Sequence, residues 1–128
     1  MKRAEVDDFE KIQGQLQSFH QELTGLSKKN PHDGLNTFKL GLMNSLLRRA
    51  NDLLDGRRPF DDFQQFDESA VPSNSDVLLI VSQYLSALEK LRSDNICMEP
   101  GGEWYWELEG KSSQDDRYRT GPPRKIAE

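Results

Sequence analysis

The sequence predicts an all-α domain, an antiparallel bundle of three main helices, and three observations carry that prediction. Apolar residues recur at spacings of three and four in three separate stretches, which is the period of one helix face. Each stretch is bounded by residues that start or stop helices, Pro31, Gly56 and Pro72 among them. No apolar run approaches the roughly eighteen residues that a membrane-spanning helix needs.

In the first stretch the apolar residues are Val6, Phe9, Ile12, Leu16, Phe19, Leu23 and Leu26. They predict a helix over 6–29 with one packed face and one wet face. Asp7, Asp8 and Glu10 fall near its start and Lys28 and Lys29 at its end, the arrangement that the helix dipole favours. Asn30-Pro31 should end it, because proline pushes the preceding residue out of the α region.

The second stretch predicts a helix over 36–55 with Gly56 as a left-handed stop. Leu40, Met43, Leu47, Ala50 and Leu54 form one seam, and Leu35, Phe38, Leu42, Leu46 and Leu53 a second. Two seams imply burial on two sides.

The third stretch, 73–94, reads as the central helix. Its run at 77–81 could be a buried strand if it stood alone, but the pattern continues through Tyr84, Leu85, Leu88 and Leu91. Ser73 can cap the first turn, and Asp76 stands at the partner position of a capping box. Leu78, Ile80 and Leu85 widen the apolar face, so this helix should be covered on several sides. If Leu85 is fully buried, Leu85→Ala should cost about 2–5 kcal/mol.

Between the second and third helices, Phe60, Phe63 and Phe66 recur every third residue, which predicts a short extra helical turn near 60–66. After Asn95 the character changes. Trp104, Trp106 and Leu108 alternate with Tyr105, Glu107 and Glu109, a strand period with a strand composition. This aromatic, β-like arm at 96–109 must pair with 96–98 as a hairpin, lie on the helices, or pair with another chain. The domain is expected to span 1–109, followed by a flexible polar tail over 110–128. Because two helices are apolar on more than one face, a homodimer is expected to cover them unless the arm and the phenylalanines do.

Composition narrows the function. Of 128 residues, 34% are hydrophobic and 30% charged, with a net charge of −5. An acidic chain gains little from neutralising phosphates, so nucleic acid is a disfavoured partner. The single cysteine, Cys97, allows no internal disulfide and suits a reducing cytoplasm, and the acids after Met1-Lys2-Arg3 do not read as a signal peptide. His20, His32 and Cys97 have no zinc-ligand spacing, and Gly101-Gly102 lacks a phosphate-loop ending. No cofactor is implied. The adjacent acids Asp7/Asp8, Asp61/Asp62 and Asp115/Asp116 diverge on any regular backbone and read as solvated charge.

The least ordinary features are aromatic. Phe60, Phe63 and Phe66 either plug the bundle or form anchors among acids; Trp104, Tyr105 and Trp106 either cover the core or form a contact surface. The reading chosen is a non-catalytic interaction module of the adaptor, inhibitor or antitoxin/immunity kind, binding a basic protein partner through these six residues. A small DNA-binding regulator would instead use Arg48, Arg49, Arg57 and Arg58. A small enzyme would need His20, Cys97 or a carboxylate gathered into one pocket by folding.

Overall fold

The computed structural model describes residues 1–109 and 118–124. The predicted tail therefore lies partly outside the described residues. The first apolar stripe folds as helix α1 (Arg3–Lys29), burying Val6, Phe9, Ile12, Leu16 and Leu23. It ends at Asn30, whose N–H donates to the Leu26 carbonyl.

Helix α2 (Thr37–Leu54) begins at Asn36, whose side chain accepts from the N–H groups of Phe38 and Lys39. Its first seam, Leu40, Met43, Leu47, Ala50 and Leu54, is buried throughout. The second seam is not. Leu35 and Leu46 are buried, but Leu42 is 46% exposed and Phe38 73% exposed. The positive-φ position that ends α2 is Asp55 (φ 49°) and not Gly56, which lies inside a 3-10 turn over Asp55–Arg57. With ψ at −117° the residue lies outside the left-handed helical region, so its backbone is strained.

Helix α3 (Asn74–Ser93) starts as expected: the Ser73 hydroxyl accepts from the Asp76 N–H at 3.2 Å. Val77, Val81, Tyr84 and Leu88 are fully buried, whereas Leu78, Ile80 and Leu85 are only half-buried and Leu79 is 58% exposed. The central helix is therefore covered on one broad face and not all round. Leu88→Ala is accordingly expected to cost about 2–5 kcal/mol and Leu85→Ala less than about 2 kcal/mol. Urea denaturation of the two variants checks this, and equal losses would contradict the burial described.

The direction of the helices departs from a simple antiparallel meander. At one end the α1–α2 turn is laced to the start of α3: Gly34 bridges Ser73, the Leu35 N–H donates to the Pro72 carbonyl, and the Asn74 N–H to the Asp33 carbonyl. At the other end Arg57 pairs with Asp94 at 2.7 Å. Both α2 and α3 thus start beside the end of α1, so they run parallel to each other and antiparallel to α1.

Parallel neighbours need a connection that returns along their length, here about 27 Å for the 18 residues of α2. Residues 58–72 make that return, and the helical turn predicted near 60–66 is not formed. Side-chain amides of α2 take the backbone groups instead. Asn44 accepts from the Phe66 N–H and donates to the Phe66 carbonyl, both at 2.9 Å, and Asn51 donates to the Gln64 carbonyl at 2.9 Å. With its backbone committed to α2, the segment cannot also close helical hydrogen bonds. It ends in a strained residue, Val71 (φ 44°), whose side chain rests where a Cβ on Gly34 would stand. Only glycine fits at position 34.

After α3 the fold is not purely helical. Among the described residues three short strands form an antiparallel sheet in the order β1 (Ile96–Met98), β2 (Trp104–Trp106), β3 (Arg119–Thr120). The hairpin register pairs Ile96 with Trp106 and Met98 with Trp104. Its turn uses Gly101 (φ 106°) and Gly102 (φ 87°), a backbone that other residues rarely adopt. The third strand comes from the stretch expected to be a tail, pairing Thr120 with Trp104 and Arg119 with Tyr105.

Candidate interaction surface

The six aromatic residues singled out in the sequence occupy two places and have unequal exposure. Phe60, Phe63 and Phe66 stack edge to face down the return segment, with ring centroids 6.3 and 5.0 Å apart. Phe66 is buried against α2, while Phe60 and Phe63 keep part of their surface in water. Asp61 and Asp62 beside them are exposed.

On the sheet, Trp106 is 3% exposed. Its ring meets Phe9 edge to face at 5.1 Å, and its indole N–H donates to a Glu10 carboxylate oxygen at 3.3 Å. Trp104 and Tyr105 are half-buried, with Glu103 and Glu107 exposed next to them. The Tyr105 hydroxyl donates to Glu103, which also pairs with Arg119.

Beneath the return segment lies a buried polar link. The Tyr84 hydroxyl donates to Asn51 Oδ1 at 2.7 Å, and the same amide holds the Gln64 carbonyl. Burial pushes the Tyr84 phenol above its ordinary value of 10.0. A phenol whose folded-state value is raised contributes stability that is intact below the unfolded value and is lost as pH climbs toward the folded one. Tyr84→Phe is expected to cost about 1–3 kcal/mol at neutral pH, because it leaves Asn51 Oδ1 buried without its donor. The deficit should narrow above pH 10, where only the parent protein suffers ionisation of this phenol. Urea melts at pH 7 and above 10 check this, and a constant deficit would contradict it.

The second polar centre was not singled out in the sequence. Arg92 and Glu89, 2% and 6% exposed, form a pair whose guanidinium Nε–H and one terminal N–H donate to the carboxylate at 2.8–3.2 Å. The remaining N–H groups reach Thr120 Oγ1 and the carbonyls of Gly121 and Pro122 at 2.7–2.8 Å. All five guanidinium donors are engaged. The Arg124 N–H returns to Glu89 at 3.3 Å. Residues 118–124 are therefore held against α3 by one arginine. Their other end is fixed where the Tyr118 carbonyl accepts from the Trp106 N–H at 2.8 Å and Arg3 lies over the Tyr118 ring at 4.9 Å. The available signal was the spacing of three between Glu89 and Arg92 on a helix face that also carries Leu85 and Leu88, but i,i+3 pairs are usually wet.

The residues that the two other functional readings need come from several elements. His20 Nε2 lies 3.2 Å from Ser82 Oγ, but that hydroxyl donates to the Leu78 carbonyl at 2.9 Å. His32 is exposed in the turn after α1, and Cys97 is half-buried in β1. Among the described residues no group of three or more His, Cys, Asp or Glu side chains is placed to hold a metal ion. Of the four arginines, Arg48 donates to Gln65, Arg57 pairs with Asp94, and Arg58 donates to the Asn51 carbonyl.

Arg49 instead lines a groove of about 610 Å³ between α1 and α2, together with Gly14, Ser18, Glu22, Leu42 and Ser45. Leu42, from the second α2 seam, lies here. No described helix is long and apolar enough to cross a membrane. Compared with known proteins, the chain matches no family model, no curated protein and no solved structure.

Proposed function

We propose that the protein is a non-catalytic interaction module, of the adaptor, inhibitor or antitoxin/immunity kind, that binds a basic protein partner. The observation that supports this reading is the set of partly exposed rings beside exposed acids: Phe60 and Phe63 with Asp61 and Asp62, and Trp104 and Tyr105 with Glu103 and Glu107. Rings held rigid by a buried neighbour lose little entropy on binding, and aromatic side chains supply much of the energy of an interface. Acids around them speed encounter with a basic surface. Phe66 and Trp106 are the buried neighbours in this proposal, fixing the rings next to them. The single cysteine supports a reducing, cytoplasmic setting, and self-association as a homodimer belongs to the same proposal.

Affinity capture from the native host tests it. Asp61→Lys/Asp62→Lys, at exposed positions, should lose the captured partner, and Phe60→Ala and Trp104→Ala should each weaken its retention severalfold. Capture by the wild type should also weaken as salt rises. Recovery of the same partner by all three variants would overturn the reading.

A further inference from the structure

We infer that residues 118–124 stand in for a ligand: they fill a channel on α3 and β2 that holds the backbone of an extended basic peptide, and a partner's segment of that kind takes their place by adding a strand to β2. The inference rests on the interaction-module reading for the existence of a basic protein partner, and adds the site and mode of its binding.

The channel grips main chain along most of its length. The Trp106 N–H donates to the Tyr118 carbonyl at 2.8 Å, and Arg119 and Thr120 pair with Tyr105 and Trp104. Arg92 then donates to the successive carbonyls of Gly121 and Pro122, and Glu89 accepts from the Arg124 N–H. Such a grip reads the direction and extension of a chain and little of its sequence, as strand addition to a sheet edge does. The buried pair suits this use. Glu89 fixes the guanidinium from its own helix, and the remaining donors are left to point at whatever chain lies in the channel. A buried pair that served stability alone could be replaced by apolar side chains of similar volume at little cost.

The charge and the anchoring of the occupant point the same way. Residues 118–124 contain Arg119 and Arg124 and no acid, in a chain of net charge −5. Acids receive them: Glu103 pairs with Arg119, and the Tyr118 hydroxyl bonds to Asp7. The channel therefore favours the sign of charge that the proposed partner carries. Yet little apolar area holds the strap in place. Arg119 and residues 121–124 are exposed, Tyr118 and Thr120 are half-buried, and the strand pairing spans two residues. A segment kept by main-chain contacts and an exposed ion pair, with few buried side chains, yields to a longer strand of the same charge.

The probe is a peptide with the sequence of residues 118–124, capped at both ends and added to the full chain. Tyr118→Ala/Thr120→Pro removes the ring anchor and the Thr120 N–H while leaving α3 and β2 intact. It should bind the peptide about tenfold or more tightly than the wild type, whose own segment competes at the high effective concentration of a tethered chain. Fluorescence anisotropy reads the difference. The same peptide with both arginines replaced by glutamate should lose most of this binding, as should the released variant when it also carries Arg92→Met/Glu89→Leu. Wild-type protein gives a second answer that needs no variant to fold. Saturating peptide should speed exchange of the Thr120 amide with solvent and leave the β1–β2 amides protected, whereas a peptide bound elsewhere would not release Thr120. A peptide that binds neither protein, or that leaves Thr120 exchange unchanged at saturation, overturns the inference and leaves partner capture through Asp61 and Asp62 as it was. Equal binding of the glutamate peptide overturns it too. So does a stable one-to-one complex between the released variant and the wild type, which would assign the channel to the 118–124 segment of a second copy.

Discussion

Replacing Arg92 by methionine is expected to destabilise the fold by about 3–5 kcal/mol, because it leaves the Glu89 carboxylate buried and unpaired. Arg92 is 2% exposed and is the shared donor for Glu89, Thr120, Gly121 and Pro122. Its loss should also release residues 118–124, so the amide of Thr120, which pairs with Trp104 in the sheet, should exchange with solvent much faster than in the parent. Removing both charges with Arg92→Met/Glu89→Leu should recover most of the stability without restoring the slow exchange. The two readouts thus separate the electrostatic penalty from the tethering of the strap. Urea denaturation and amide exchange of the three proteins check this; an Arg92→Met protein within about 1 kcal/mol of the parent would mean that water already reaches the pair.

Trp106→Ala is expected to cost about 3–5 kcal/mol, since it empties the space between the sheet and α1 and removes the ring that meets Phe9. Trp104→Ala, two residues away on the same strand and half-buried, should cost clearly less. The contrast separates two roles that are indistinguishable in sequence: a ring that builds the domain and a ring that can face a partner. Equal losses in thermal or urea melts would show that Trp104 also belongs to the core, and would weaken the interaction surface proposed for it.

The pattern of right and wrong expectations follows from how local each signal is. The three helices were legible because spacing and dipole preferences act within a few residues, and so was the Ser73 cap through the Asp76 N–H, whereas the stop of α2 fell on Asp55 and not on Gly56. The hairpin was among the readings of the aromatic alternation, since a strand with no partner is costly and 96–98 was the nearest candidate. The phenylalanine triplet misled because a spacing of three fits both a helical turn and a stack of rings on an irregular backbone. Asn44 and Asn51 decided for the stack by bonding to the carbonyls and N–H of the return segment, and their distance in sequence hides that choice. The candidate site was legible as a set of residue types and not as a set of exposures. Phe66 and Trp106 turned out to be buried, and Phe38, assigned to a buried seam, is among the most exposed apolar residues described.

By itself the sequence determined where the helices lie, which face of each carries apolar groups, and that the chain after α3 changes from helical to strand character. Those properties are set by backbone preference and by period, which act over one or two turns. Only the tertiary structure decided that α2 and α3 run parallel with 58–72 returning between their ends, and that 118–124 supplies a third strand under the grip of Arg92. It also decided that α2 keeps part of its second apolar seam in water. Hydrophobic burial rewards area removed from water without regard to direction, so an apolar stripe states that a face is to be covered and leaves open which segment covers it. Here that was settled by polar contacts between residues far apart in the chain, Asn44 with Phe66 and Arg92 with Pro122 among them, because a buried donor or acceptor tolerates few partners and an apolar surface tolerates many.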